Sequence, residues 1–250
     1  MFVSDAQNGE VVEVRCASFN VLFDEYIGVE GSDYSQADPK LLVPGARRLL
    51  VKRVIEGLNA HVVAMQEADL ALARSFTSGD WRVLWTPKKN GKKDGCLLLV
   101  RRGIRIRDFE SFSYDDDSGH IAQRVFIGGL MFVNTHIKWV PLDEQPHLGT
   151  EQMRMLLKWI GKKPAVLLAD CNDLPGGPVR ALLEKAEFTN AHDDSPTSVV
   201  NGRHLANDII AVRKIKAKSV DSPFSLEGIP NKGCPSDHIP VFADVEIPYL

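Results

Sequence analysis

The chain has 250 residues, 44% of them hydrophobic and 25% charged, a composition that excludes global disorder. Thirty Lys and Arg against 33 Asp and Glu leave a net charge of −3, so contact with nucleic acid or anionic lipid must come from local patches. No run approaches the roughly 20 apolar residues of a membrane span, and Met1 to Glu10 shows no secretory signal.

Short runs rich in Val, Ile and Phe, bounded by Gly, Pro or Asp, predict strands over 11–22, 61–66, 82–86, 95–101, 104–112, 124–136, 165–170, 208–212 and 241–247. Three segments have helical spacing instead. Over 44–58 the apolar positions are Leu49, Leu50, Val54, Ile55 and Leu58, and Asn59 is the stop. Thr150 caps a helix over 150–160, with Gly161 behind it, and Pro178 opens another over 178–186. Many strands with few helices predict an α/β fold of two sheets packed face to face, with helices covering the outer faces. There is no repeat or linker, so residues 1–250 are expected to form one domain. Cys16, Cys96, Cys171 and Cys234 are scattered and form no C-x-x-C pair, which argues against structural zinc and a disulfide scaffold. An intracellular, cytoplasmic setting is the expectation.

Gly-rich phosphate loops of the P-loop or dinucleotide type are absent. What the sequence offers instead is a polar group at each of several strand ends: Asn20, Gln66-Glu67, Asn134 and His136, Asp170 and Asn172, Asp208, and Asp237-His238. Each alone has an ordinary explanation, such as a solvated strand end or an Asx-turn. Together they predict one acidic pocket at a common rim. Alternation puts Asn134 with His136, and Asp170 with Asn172, on one face. Oxygen donors without clustered cysteine or histidine favour a hard cation, Mg²⁺ or Mn²⁺. Glu67 is the principal expected ligand, with Asn20 and Asp237 beside it. Asp170 is then free to align or deprotonate a water, with Asn172 hydrogen-bonding the water or phosphate. His238, paired with Asp208, would face the phosphate as a cation, and His136 would bind another phosphate oxygen.

These pieces, Ser18-Phe19-Asn20-Val21-Leu22, Gln66-Glu67, Asn134-Thr135-His136, Asp170-Cys171-Asn172, Asn207-Asp208-Ile209-Ile210 and Ser236-Asp237-His238, resemble in order and spacing the endonuclease/exonuclease/phosphatase superfamily. Asn20 to Tyr26, Asp94-Gly95-Cys96, Asn172-Asp173-Leu174-Pro175 and Pro235-Ser236-Asp237-His238 are similar to its deadenylase branch of nocturnin and Angel-type enzymes. The resemblance implies a four-layer α/β/β/α sandwich of two mostly antiparallel sheets, and a Mg²⁺-dependent phosphodiesterase acting on RNA from the 3′ end. A phosphatase of terminal or cyclic RNA phosphates, or of a small phosphorylated metabolite, is the alternative, and a non-catalytic nucleic-acid-binding module is a further one. Ala169 and Cys171 replace the usual Gly and Phe around the Asp-x-Asn core, and Ile209 stands where Tyr is common.

For substrate contact the candidates are Asn134, Trp139 in the loop after His136, and Lys92 and Lys93 in the basic run 88–93, whose other reading is a solvated hairpin tip. Residues 47–53 read as the solvent side of a helix. The segment 141–149 reads as a mobile flap, and 114–118 as a charged turn. A monomer with a phosphoester substrate, no membrane span and no protein partner is expected.

Overall fold

The computed structural model describes residues 11–29 and 34–248. The expectation about Met1 to Glu10 lies outside them. In chain order the strands are β1 (Val11–Asn20), β2 (Val62–Asp69), β3 (Trp81–Pro87), β4 (Asp94–Arg101), β5 (Ile106–Ser113), β6 (Ile121–Ile127) and β7 (Leu130–His136). There follow β8 (Ala165–Asp170), β9 (Thr189–Asn190), β10 (Ser198–Val200), β11 (Arg203–Leu205), β12 (Asp208–Arg213), β13 (Ala217–Val220) and β14 (Val241–Pro248). The α-helices are α1 (Arg48–Gly57), α2 (Leu70–Ser75), α3 (Leu148–Ile160) and α4 (Pro178–Lys185).

Two six-stranded sheets form, in the orders β13-β14-β1-β2-β4-β3 and β5-β6-β7-β8-β12-β9. Alternation gives every central strand two apolar faces. One set, including Cys16, Val62, Ala64, Leu98, Phe132, Val166, Leu168 and Ile210, fills the space between the sheets. Ala17, Phe19, Val63 and Met65 pack outward against Val51, Ile55, Leu72 and Ala73 of α1 and α2. Met131, Val133, Leu167 and Ala169 pack outward against Met153, Leu156, Val179 and Leu183 of α3 and α4. The four expected layers are therefore present. No helix among the described residues is long and apolar enough to cross a membrane.

Topology explains why the polar strand ends meet. β1 and β2 are parallel, as are β7 and β8, so the C-terminal ends of each pair lie together: Asn20 opposite Gln66, and His136 opposite Asp170. β12 runs antiparallel to β8 and starts at the same rim, with Asp208 opposite Asp170. β14 is antiparallel to β1 and starts opposite Ser18, so Asp237 and His238 arrive there just before it.

Several boundaries differ from the sequence reading. The run 124–136 is two strands, because Gly128 and Gly129 both take left-handed backbone (φ 55° and 79°) and turn the chain into a hairpin. The first strand stops at Asn20 rather than 22, and Leu22 is left-handed (φ 56°). The first helix starts at Arg48, four residues after Pro44. The third is capped not by Thr150 but by His147, whose Nδ1 accepts from Thr150 N at 3.2 Å. Helix α2, only six residues and capped by Asp69, is too short to show a period. Gly95 pairs with Pro87, and a Cβ there would overlap the Thr86 carbonyl and lie 2.8 Å from Pro87 Cα. Tyr114 is not part of a charged turn but fully buried, its hydroxyl 2.6 Å from Thr135 Oγ1.

Asn134 lies deep between the sheets, with none of its surface exposed. Its Oδ1 accepts from Gln66 Nε2 at 2.9 Å, and its Nδ2 faces the Met65 and Leu97 carbonyls and Gln123 Oε1 at 3.1–3.2 Å. Every polar atom is thus engaged inside the protein, and no surface is left for the substrate contact expected of it. Truncating it strands buried amide groups on both sheets, which costs roughly 1–3 kcal/mol per orphaned group. Urea unfolding of Asn134→Ala should show a loss of about 2–4 kcal/mol; a loss below about 0.5 kcal/mol would remove Asn134 as the bridge between the sheets.

Candidate active site

The site is the open end of the inter-sheet layer. Asn20, Gln66, His136, Asp170 and Asp208 each continue the inward-facing series of their strand, two residues beyond the last inward neighbour. Glu67 does not belong to that series and by alternation would face α1. A register shift between Met65 and Ala68 and a left-handed backbone at Glu67 (φ 60°) swing it back to the rim. Such a conformation costs a non-glycine residue about 1–2 kcal/mol. Hydrogen bonds hold it: Glu67 Oε2 accepts from Phe23 N at 2.8 Å and Oε1 from Asn20 Nδ2 at 3.1 Å.

Asn20 Nδ2 also donates to Asp170 Oδ2 at 2.9 Å, while its Oδ1 accepts from Leu22 N. Asp170 Oδ1 accepts from Asn172 N at 2.9 Å. Asn172, also left-handed (φ 46°), donates from Nδ2 to His136 Nε2 and to the Ile137 carbonyl, both at 2.9 Å. Its Oδ1 is the atom left for a ligand. Asp173 accepts from Val179 N and Arg180 N and so fixes the following turn on the start of α4.

On the other side His238 Nδ1 lies 2.7 Å from Asp208 Oδ2, and His238 Nε2 lies 3.9 Å from Asp170 Oδ2. Thr197 Oγ1 donates to the same Asp208 oxygen at 2.7 Å. Asp237 accepts from the Tyr34 hydroxyl at 3.0 Å. Thr197 and Tyr34 sit in irregular segments and carry no sequence signal. Another group unforeseen in this role is Lys88, which is buried, pairs with Asp94 at 2.5 Å and lies 5.6 Å from the Tyr26 ring centre. Its neighbour Asp94-Gly95-Cys96 is visible as a motif, but Lys88 itself is submerged in a basic run.

The two histidines are held in opposite states. For His238 burial disfavours the cation, yet Asp208, Asp170 and Asp237 together outweigh it and keep the ring protonated well above its ordinary range. For His136 burial acts in the same sense as Lys88, His120 and His238, and the ring is neutral. Its Nε2 accepts from Asn172, so the proton resides on Nδ1, 3.9 Å from Glu67 Oε1. Asn172 thus engages Nε2, while the buried Nδ1 finds no hydrogen-bond partner among the described residues.

Burial raises Glu67, with Asp237 adding and Lys88 opposing. Burial raises Asp170 to about 7, with Asp208 adding and His238 opposing. Carboxylates so crowded are the ones a cation restores to full charge. Glu67 and Asp237 lie close enough to repel one another and offer carboxylate oxygens of the kind a hard divalent ion takes, while Asn20 turns its Nδ2 to Glu67 and its Oδ1 to Leu22 N. Asp170, Asp208 and His238 also bring ligand atoms within 4.8 Å of one another, but the short His238–Asp208 bond engages two of them with each other.

Of the substrate candidates, Trp139 is 59% exposed on the loop leaving His136. Lys92 is half-buried, its charge disfavoured by burial and by Lys88 and Lys138 nearby. Lys93 is exposed and paired with Glu25 at 2.5 Å. Trp81 is core, and Trp85 donates to the Ala68 carbonyl. Arg47, read from sequence as solvent-facing, is 2% exposed.

His120 packs edge-on against His136, ring centres 5.5 Å apart, and is itself buried. Burial first, then Lys88, Lys92 and Lys138, push its pKa down to about 2. The unfolded chain takes up this proton near pH 6.5 and the native one does not. Stability due to His120 is therefore complete above pH 6.5 and falls as the pH drops from there toward 2. Between pH 7 and pH 5 the loss assigned to His120 is about 2 kcal/mol. Urea unfolding at the two pH values should show that much less acid sensitivity in His120→Gln; equal sensitivity would mean the ring is not held neutral.

No protein-family profile and no curated protein sequence matches the chain. Solved structures do. ANGEL2, a 2′,3′-cyclic phosphatase, superposes with a TM-score of 0.83 over 96% of each chain at 13% identity. An endonuclease/exonuclease/phosphatase protein of Bacteroides vulgatus gives 0.69 over 94% of this chain and 99% of that one, at 18% identity. The human nocturnin catalytic domain, with bound sulfate, gives 0.66 over 95% and 97%, at 16% identity. The chain thus has the fold of the endonuclease/exonuclease/phosphatase proteins, and of ANGEL2 and nocturnin among them.

Proposed function

We propose that the protein is a divalent-metal-dependent phosphoester hydrolase acting at the 3′ end of RNA. The observation that carries this reading is the meeting of Asn20, Glu67, Asp170, Asn172, His136 and the His238–Asp208 pair in one connected network at the sandwich rim. The names of its structural neighbours, a 2′,3′-cyclic phosphatase and nocturnin, support the same chemistry.

Glu67 and Asp237, with Asn20, would hold Mg²⁺ or Mn²⁺, which when bound supplies neutralisation of phosphate charge and polarises a phosphoryl oxygen. The remaining steps belong to side chains. Asp170 is the acceptor for the proton of an attacking water, and a value near neutrality suits a general base. Asn172, fixed through His136 and Ile137, presents Oδ1 to orient that water. His238 presents a protonated Nε2 toward the charge that grows on the phosphoryl oxygens, and Asp208, anchored by Thr197, keeps it charged. Trp139 offers an exposed face for a terminal base, and Lys92 would take a phosphate beyond it. The protein works on this reading as a monomer, and its four buried free cysteines suit a reducing, cytoplasmic setting.

Release of mononucleotides by a 3′ exonuclease is the first form of the activity. The second, removal of a terminal or 2′,3′-cyclic phosphate, is favoured by the superposition on ANGEL2, also solved with adenosine-2′,3′-vanadate. End-labelled RNA carrying a 3′ hydroxyl or a 2′,3′-cyclic phosphate separates the two by product.

Chelation should abolish turnover in either form, and Mg²⁺ or Mn²⁺ should restore it. Glu67→Gln and Asp170→Asn should each lower kcat at least about a hundredfold while unfolding cooperatively; near-normal turnover in either would place the centre elsewhere. Trp139→Ala should weaken RNA binding by about 1–3 kcal/mol at nearly unchanged kcat. An unaltered KM would assign Trp139 to the surface alone.

A further inference from the structure

The cation pocket is assembled from two segments distant in sequence. One is the exit of β1, residues 20–24, which supplies Asn20 and, through Phe23 N, the hydrogen bond that fixes Glu67 Oε2. The other is 235–238, which supplies Asp237. Beyond Asn20 the first is irregular and contains the left-handed Leu22, and the second meets a strand only at its end, where the Asp237 carbonyl accepts from Val199 N at 2.8 Å and His238 bridges to Ser198, so residues 21–24 and 235–236 take no shape from a strand ladder.

Arg47, just before α1, lies between them. Its Nη1 donates to the Val21 carbonyl at 2.9 Å and to the Pro235 carbonyl at 2.8 Å. Its Nη2 donates to the Leu22 carbonyl and to Asp24 Oδ1, both at 2.5 Å. One buried planar fork therefore grips both pocket-bearing segments at their backbones. A guanidinium is suited to this because its donors are rigidly spaced, whereas an ammonium is a single point at the end of a flexible stem. The charge itself is offset by Asp24, whose other oxygen accepts from Gly45 N at 2.6 Å. Ser236 Oγ, donating to the Asn20 carbonyl at 2.7 Å, is a second and weaker tie between the same segments. It leaves the fold a brace when Arg47 is changed.

We propose that Arg47 is a positioning residue that sets the separation of Glu67 from Asp237 and thereby the affinity of the pocket for its cation. This rests on the reading that Glu67 and Asp237 hold that ion. Arg47 touches no substrate, so it acts on metal binding and only through it on turnover.

The test is Mn²⁺ binding, read as free ion by electron paramagnetic resonance, for the full chain and for Glu67→Gln, Arg47→Met and Arg47→Lys. Wild type should bind Mn²⁺ saturably and Glu67→Gln should lose that binding. Arg47→Met should bind about 10- to 100-fold more weakly, the range typical of groups that orient metal ligands. Arg47→Lys, which keeps the charge but not the fork, should also weaken binding, by about tenfold. In both Arg47 variants kcat at saturating Mg²⁺ should return toward the wild-type value, which a merely bracing residue would not produce. Wild-type Mn²⁺ affinity in a cooperatively unfolding Arg47 variant, with Glu67→Gln still defective, overturns the proposal. So does loss of cooperative unfolding in both variants, which would make Arg47 a brace for the fold. Unchanged binding in Glu67→Gln would instead show that the cation assignment itself is wrong.

Discussion

A single amide nitrogen, Asn20 Nδ2, donates to Glu67 at 3.1 Å and to Asp170 at 2.9 Å, and so ties a carboxylate of one sheet to a carboxylate of the other. Two buried carboxylates facing each other would drive the sheet ends apart, and a neutral donor between them lets both approach. Behind it the same device repeats: Gln66 donates to Ser18 and to Asn134, and Asn134 reaches Gln123, which in turn donates to Leu84 and Thr86. A column of amides thus runs from the rim into an otherwise apolar layer. Amide groups satisfied on both sides fix the sliding of one sheet on the other, which side chains of Val and Leu alone do not.

The contrast between the two histidines shows how little of a site's chemistry resides in residue type. Both are buried at the same rim, His136 at the end of β7 in one sheet and His238 just before β14 of the other. His238 faces Asp208 and is a cation; His136 lies near Lys88 and is neutral. Burial is the larger cause for His136, and Lys88, held in place by Asp94, adds to it, while the bond from Asn172 sets which ring nitrogen accepts.

Much of this was legible from sequence because strand ends carry their chemistry in local residue types. Asn20, Glu67, Asp170, Asp208 and His238 could be picked out by asking which polar groups terminate apolar runs. Pairing direction was not legible, and it is the parallel β1–β2 and β7–β8 pairs that bring those ends together. Alternation placed Asn134 on the face of His136 correctly, but it does not say how deep along the strand that face stays dry, and Asn134 lies on the buried side of that boundary. Arg47 was misread for a related reason: a charge beside other charges looks solvated until a loop with bare carbonyls folds over it. Lys88 was hidden in the same way, and Tyr34 and Thr197 belong to segments without periodicity.

The backbone at residue 67 has a further consequence. Left-handed geometry is native to glycine, which would relax the chain there and at the same time take a crowded negative charge out of the interior. If Glu67 holds the cation as proposed, fitness for folding and fitness for catalysis point in opposite directions at this position. A library screened for heat resistance alone would then tend to discard the glutamate, and the hardiest survivors would be inert.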